Sequence, residues 1–447
     1  TVQTTLPPTV DSGSAVFAAT PLWNEGAWSG VRGYPSAIAF YEQRLFLGGT
    51  SHQPQTIWGS KGNRRFENFD SGTALDDESI TYTLVGNSGQ QNTIQWLSAG
   101  KVLVAGTYGG SFALYGGGQG DPLTPSNITV SSNGAACSST QPMLINNTLF
   151  FSHRSGKRVY QLQYDFNSDA YKAADVSIRS EHITGNGVSS FAQQQYPYNI
   201  LWSIRSDGVL LGITLDDDNS VSAWHRHVTA GEIESICVIP TTNNTEELWM
   251  VVKRTILGSS VRYIEYIDQD SDYELYSDCA KIYDGVATTS VAVTHLGNED
   301  VDILADGAVE VEQAVAANSV TLSSSCTVVL IGLNYVTDIS PMNIEQGGTN
   351  GAALCKKKRI SNIVARFYNT LGAKYGRDED NMYTISFRTD GMGMDQSPSR
   401  FGYPRPDDQE LVFNDDNSTI SRVLIRQDQP LPMTLIAISP KVQTNEG

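Results

Sequence analysis

Apolar and polar positions alternate along this chain in short bursts, and one arrangement of bursts recurs. The stretch "ILWSIRSDGVLLGITL" (Ile200–Leu215) sets two apolar alternating segments on either side of Ser206, Asp207 and Gly208. That pattern predicts a β-hairpin: residues suited to a pleated, half-buried surface, closed by residues that tolerate a tight turn. The same design reappears in "RLFLGGTSHQPQTIWGS" (Arg44–Ser60), "KVLVAGTYGGSFALYGG" (Lys101–Gly117), "TLFFSHRSGKRVYQLQY" (Thr148–Tyr164) and "ELWMVVKRTILGSSVRYIEYI" (Glu247–Ile267). An additional apolar strand precedes most of these units, as in "SAIAFY" (Ser36–Tyr41), "TIQWLS" (Thr93–Ser98), "QPMLIN" (Gln141–Asn146) and "SICVIP" (Ser235–Pro240).

The repeating element is therefore three or four antiparallel strands recurring about every 40 to 55 residues, the spacing of propeller blades. One such sheet cannot bury both faces alone, but sheets arranged radially cover one another and leave only short edges. A β-propeller is expected over residues 17–267, after an N-terminal extension at 1–16. A β-sandwich would also use alternating strands, but five copies of one hairpin suit blades better. No long segment shows the three- and four-residue apolar spacing of a helix.

From Asp268 the texture changes. "DQDSDYELYSDCAKIYDG" is polar and acidic, and residues 268–289 are expected as a connector. Strands without the hairpin repeat follow, among them "SVTLSSSCTVVLIGL" (Ser319–Leu333), "RISNIVARFYN" (Arg359–Asn369) and "SRVLIRQDQPLPMTLIAISP" (Ser421–Pro440). They predict one or two β-sandwich-like domains over 290–447. The expected fold class is all-β, a β-propeller followed by a β-sandwich-like C-terminal region.

Composition narrows the function classes. The net charge of −18 opposes tight nucleic-acid binding through counterion release, without forbidding a nucleic acid from sliding past. Cys137, Cys237, Cys279, Cys326 and Cys355 are scattered and form no CxxC pair, which fits free buried thiols in a reducing cytoplasm. No apolar run is long enough to span a bilayer, and the first residues carry neither the basic region nor the apolar run of a signal peptide.

Candidate chemistry is sparse. His225 and His227 in "AWHRHVT" point the same way on a strand and could offer two metal ligands, but no third is near in sequence. A structural pair packing beside Trp224 is the plainer expectation. Asp268, Asp270 and Asp272 suggest a calcium loop, yet Tyr273 stands where an EF-hand needs Gly and Cys279 where it needs Glu. Asp216–Asp218 and Asp76–Glu78 read as solvated turns.

The basic run "CKKKR" (Cys355–Arg359) could touch a DNA backbone, but a run this short is more often a solvated edge. Glycosylation matches at Asn127, Asn146, Asn243 and Asn417 matter only on a secretory route. Tyr196, Tyr198 and Trp202 could stack on sugars or fill a blade core. With no Gly-rich phosphate loop, GxSxG elbow, HExxH or sialidase repeat, no catalytic residue, metal ligand or cofactor is assigned and no enzyme is expected.

Several blocks resemble the tail nozzle proteins of short-tailed bacteriophages, also called tail tubular protein B. They are "GYPSAIAFYEQRLFLGGTSHQPQTIWGS" (Gly33–Ser60) and the run from "YPYNILWSIRSDGVLLGITL" through "AWHRHVTAGEIES" to "LWMVVKRTILGSSVRYIEYI" (Tyr196–Ile267). "HLGNEDVDILADG" (His295–Gly307), "LIGLNY" (Leu330–Tyr335) and "PLPMTLIAISP" (Pro430–Pro440) extend the resemblance towards the C-terminus.

The resemblance implies a virion structural protein in the phage tail, assembled in the host bacterial cytoplasm. It implies a homohexameric ring around the DNA-ejection channel, with tail adaptor and portal-proximal proteins above and tail fibres or spikes docked nearby. DNA would pass transiently, eased by acidic side chains facing the lumen. Family members commonly carry a sizeable region ahead of the "GYPSAIAFYEQRL" block, where this sequence has only about 30 residues. Contacts made by that region would then come from another polypeptide or another segment. The alternative reading is a carbohydrate-binding or carbohydrate-cleaving tail protein that engages the host envelope.

Overall fold

The computed structural model describes residues 26–444 except 71–74, 87–91, 118–120, 168–169, 217–218, 220, 268–275, 345–346, 349–350, 353–355, 388–406, 414–418 and 420. The expected N-terminal extension at 1–16 lies outside the described residues. By compactness the chain divides into two units: Thr1–Val228 with Ile233–Leu248, and Thr229–Glu232 with Trp249–Gly447.

The first unit is a succession of four four-stranded antiparallel meanders, each in chain order. The first holds β1 (Ala37–Tyr41), β2 (Arg44–Gly48), β3 (Thr56–Gly59) and β4 (Ile80–Thr83). The second holds β5 (Ile94–Ala99), β6 (Leu103–Thr107), β7 (Ser111–Tyr115) and β8 (Thr129–Asn133). The third holds β9 (Met143–Ile145), β10 (Thr148–Ser152), β11 (Val159–Asp165) and β12 (Ala170–Asp175). After the single-turn helix α1 (Glu181–Thr184) come β13 (Val188–Gln194), β14 (Ile200–Arg205), β15 (Leu210–Asp216) and β16 (Val221–His227).

The recurring hairpin supplies the middle two strands of each sheet. Its turn chemistry is visible at Ser206–Gly208: Gly208 sits at φ +82°, and its N–H closes the turn on the Arg205 carbonyl at 2.8 Å. Arg205 then clasps Asp207 through Nε and Nη2 at 2.6 and 2.9 Å.

Successive sheets share cores, and these seams make them propeller blades. Phe46 and Ile57 of the first sheet meet Ile94 and Leu114 of the second. Trp96 and Val104 of the second meet Phe151 and Leu162 of the third. Phe150 and Val159 of the third meet Leu201 and Ile213 of the fourth. β10 shows the consequence for sequence: Phe150 enters one seam while Leu149 and Phe151 enter the other, so its strand is apolar on both faces.

The fifth expected hairpin forms as β18 (Glu246–Ile256) and β19 (Ser259–Ile267), following β17 (Glu232–Pro240) in a three-stranded sheet.

The second unit is also all strand. A five-stranded sheet joins β20 (Asp278–Ala292), β21 (Asp300–Ala305), β22 (Ala308–Val309), β23 (Gln313–Ala314) and β24 (Ser319–Leu333), with β24 between β20 and β21. Residues 278–289, expected as the end of an acidic connector, are instead part of β20. Most of that strand is solvent-facing, and it is held by the ladder to β24 rather than by an apolar face of its own.

β25 (Thr337–Ile339) and the small pair β26 (Gly347–Gly348) and β27 (Gly351–Ala352) lead into a sandwich. Its strands are β25 together with β28 (Lys358–Tyr368), β29 (Lys374–Gly376), β30 (Met382–Thr384), β31 (Asp407–Val412), β32 (Leu424–Gln427) and β33 (Thr434–Thr444). They form two sheets, ordered β25-β32-β29-β30 and β31-β28-β33. Ile363, Phe367 and Leu435 from one sheet pack with Tyr375 and Ile425 from the other around one core. The fold is all-β, propeller blades followed by a β-sandwich.

Candidate functional site

Strand β16 brings His225 and His227 onto one face, where His225 Nδ1 and His227 Nε2 lie 2.9 Å apart. Their neighbour is Trp202 on β14, at 5.5 and 5.4 Å between ring centroids, not Trp224. Alternation explains the correction: Trp224 immediately precedes His225 on the strand, so it points to the opposite face and donates Nε1–H to the Val176 carbonyl at 2.9 Å. Trp202 is buried and donates Nε1–H to Gln194 Oε1 at 2.9 Å, so it is no sugar platform. Tyr196 and Tyr198, at the β13–β14 turn, are exposed.

The histidine pair is built as a neutral contact. Burial lowers the pKa of His225, and burial together with the His225 charge pushes His227 down to about 4. Each ring commits one nitrogen to the other, which leaves no shared point for a cation. Among the described residues no group of three His, Cys, Asp or Glu side chains could hold a metal ion.

The remaining sequence candidates disperse. Asp268, Asp270, Asp272, Asp217, Asp218 and Cys355 lie outside the described residues. Asp216 accepts from the backbone N–H and side-chain amide of Asn219 at 3.1 and 2.7 Å, an ordinary turn contact. Asp76 and Glu78 are more than a solvated turn: their carbonyls, with that of Ser60, receive the buried Arg44 guanidinium. In the basic run, alternation on β28 buries Lys358, whose Nζ donates to the Ile344 carbonyl at 3.0 Å, while Lys357 and Arg359 face solvent. That splits the run across two faces.

Sequence reasoning missed an ionic knot in the second unit. Arg254 on β18 is 1% exposed and forks onto Glu265 through Nε and Nη2, both at 2.7 Å. It reaches Asp278 through Nη1 and Nη2 at 3.0 and 2.8 Å, and Nη1 also donates to the Ala230 carbonyl at 3.0 Å. Burial works against the charge, but the hydrogen bonds that Arg254 donates to Glu265 and Asp278 outweigh it and raise the Arg254 pKa. The signal was present: Arg254 occupies a slot in the series Leu248, Met250, Val252, Ile256 where alternation calls for an apolar residue.

A cavity of ≈ 230 Å³ opens between the second and third blades beside Lys101, Asn147, Gln163, Tyr164 and Tyr171. No carboxylate or histidine lines it, so it offers no acid–base pair. Among the described residues no helix is long and apolar enough to cross a membrane.

What the blades do present is an apolar face. Ile38 and Phe40 project from β1 on the side opposite the first seam, each 61% exposed. Phe66 meets Phe40 edge-on at 5.2 Å.

No family model matches this chain, and no curated protein matches it. Among solved structures it is similar to a protein from Lactobacillus plantarum, at 10% identity and a TM-score of 0.32, over 66% of this chain and 87% of that one. It is also similar to Raptor from Chaetomium thermophilum, at 12% identity and a TM-score of 0.29, over 67% of this chain and 28% of that one. Likenesses at these scores carry no argument, and the fold rests on the sheets and seams described above.

Proposed function

We propose that this chain is a structural subunit of a phage tail nozzle, one of several copies forming a ring around the channel through which DNA leaves. The observation that carries the reading is the bare apolar face of the first blade, which a solitary protein would expose to water and an assembly subunit would bury. The resemblance of the Gly33–Ser60 and Tyr196–Ile267 blocks to nozzle proteins supplies the kind of assembly. Stacked blades with close-packed seams suit a stiff wall, and a net charge of −18 suits a lumen that repels phosphates and lets DNA slide.

The test is imaging of purified tails, with the chain located by an antibody or a fused tag. A ring of this chain around a lumen lined mainly by Asp and Glu is the expected result. A lumen lined mainly by Lys and Arg would refute the electrostatic part. A chain found only as a monomer would refute the whole.

Exposed Tyr196 and Tyr198 favour a second reading, carbohydrate binding at the β13–β14 turn. Retention of the protein on host polysaccharide, lost in a Tyr196→Ala/Tyr198→Ala variant, would support it.

A further inference from the structure

The cavity between the second and third blades is framed by two tight turns, and both are held in place. Lys101 sits at the tip of the β5–β6 turn, where the Gly100 N–H reaches the Val102 carbonyl at 3.1 Å. The Lys101 carbonyl accepts from Tyr41 Oη at 3.2 Å, which ties this turn to the first blade. In the β9–β10 turn Asn146 takes a left-handed φ of +54°, and Asn147 follows it at the hairpin tip. The two turns meet at Gly100 and Leu144, where a Cβ on Gly100 would stand 3.5 Å from Leu144 Cδ2.

Inside, the floor is apolar. Val104, Leu149 and Leu162 line it and are buried in the seam between these blades. Tyr164 and Tyr171 lie opposite each other on β11 and β12, with ring centroids 5.5 Å apart at 63°, and form one wall. At the mouth stand three exposed side chains with protons to donate: the Lys101 ammonium and the amides of Asn147 and Gln163.

This layering selects a class of ligand. An apolar floor under a rim of donors suits a molecule with an apolar body and an acceptor head. Among the described residues of the lining, Lys101 carries the only formal charge, so the head it matches is a monoanion. A phosphate dianion would keep one charge unbalanced, whereas a carboxylate would not. The acids next to these residues in the chain are engaged elsewhere: Asp165 pairs with Lys172, and Glu42 accepts from the Leu123 N–H at 2.7 Å. The volume of ≈ 230 Å³ lies below the ~300–1,000 Å³ of sites for drug-sized molecules, which limits the body to about one ring.

We propose that this cavity binds a small carboxylate carried on a single apolar ring. The carboxylate meets Lys101, Asn147 and Gln163, and the ring rests on Leu149 and Leu162 beside the two tyrosines. The site is separate from the bare face of the first blade, so it stands or falls apart from the nozzle reading.

The experiment is a titration of the whole chain with benzoate, followed by saturation-transfer NMR, beside benzamide, which has nearly the same shape and no charge. Benzoate is expected to saturate with a Kd on the order of 1 mM, as suits a ligand of few atoms, and benzamide to bind about tenfold more weakly. Contacts from the benzoate ring should reach the methyl groups of Leu149 and Leu162. Lys101→Gln, at an exposed turn, should keep the wild-type unfolding temperature and bring benzoate down to the level of benzamide. Lys157→Gln, at the exposed β10–β11 turn and outside the lining, should bind benzoate as the wild type does.

Four results overturn the site. They are no saturable binding of benzoate at roughly 10 mM, equal binding of the two probes, an equal loss in the two lysine variants, or ring contacts to methyl groups elsewhere. Should Lys101→Gln lower the unfolding temperature, Lys101→Arg keeps the charge and must keep the preference for benzoate.

Discussion

At the scale of single residues, the two most informative side chains are charged or titratable groups at positions where the strand pattern calls for apolar ones. Arg254 is buried, and its partners Glu265 and Asp278 are nearly so. Truncating it in Arg254→Ala would leave two carboxylates facing each other without a cation. The expected loss is about 3 kcal/mol, the lower end for a broken buried pair because both acids keep some contact with water. Arg254→Lys should fall between the two, since an ammonium cannot fork onto both carboxylates. Denaturant midpoints of the three proteins check the order.

His227 makes a prediction in pH. Its folded pKa, about 4, lies below the ordinary 6.5, so the unfolded chain binds more protons between these values. Stability contributed by the neutral pair is whole above pH 6.5 and is lost as pH falls towards 4. His227→Phe should flatten the unfolding temperature in that window. Asp207 titrates in a separate window. Its hydrogen bond from Arg205 holds it at about 2 against an ordinary 3.8, so its contribution is whole above 3.8 and fades only below that.

At the scale of elements, a blade depends on close approach across its strands. Trp96 lies directly opposite Gly106, and a Cβ at Gly106 would fall 2.2 Å from the indole. Gly212 lies opposite both Trp202 and His225, and a Cβ there would fall 2.2 Å from the His225 ring. Gly106→Ala and Gly212→Ala should each cost about 1–3 kcal/mol by overpacking, read as lowered unfolding temperatures.

These elements also show what was legible in the sequence. The middle strands could be read because they are dense apolar runs such as "RLFLG" and "TLFFS", the second of which, on β10, enters seams on both faces. The fourth strands could not: β8 "TVSSN" and β12 "AYKAAD" hold no fully buried residue, and their half-buried positions are largely polar or small. β20 was missed for a similar reason. Histidine spacing gave the shared face of His225 and His227 but not the neighbour, because Trp202 arrives from two strands away. The bare face of the first blade was hidden, since an apolar run looks the same whether one side or both are covered.

At the scale of the whole molecule, among the described residues the first unit has no blade with a private core, because each seam is made by two consecutive sheets. Isolating one blade would expose two apolar faces, so a fragment holding only residues 92–133 should aggregate or stay unfolded, as circular dichroism would report. The seams also join segments that are neighbours in the chain, which gives the unit the nearest-neighbour energetics of repeat proteins.

That ordering has a mechanical consequence. Tension applied to the two ends of the first unit would meet the seams one after another, so it should part in steps rather than in a single rupture. Lateral compression would load the same interfaces in the direction in which close-packed side chains yield least. The architecture would be easy to unzip from its ends and hard to crush.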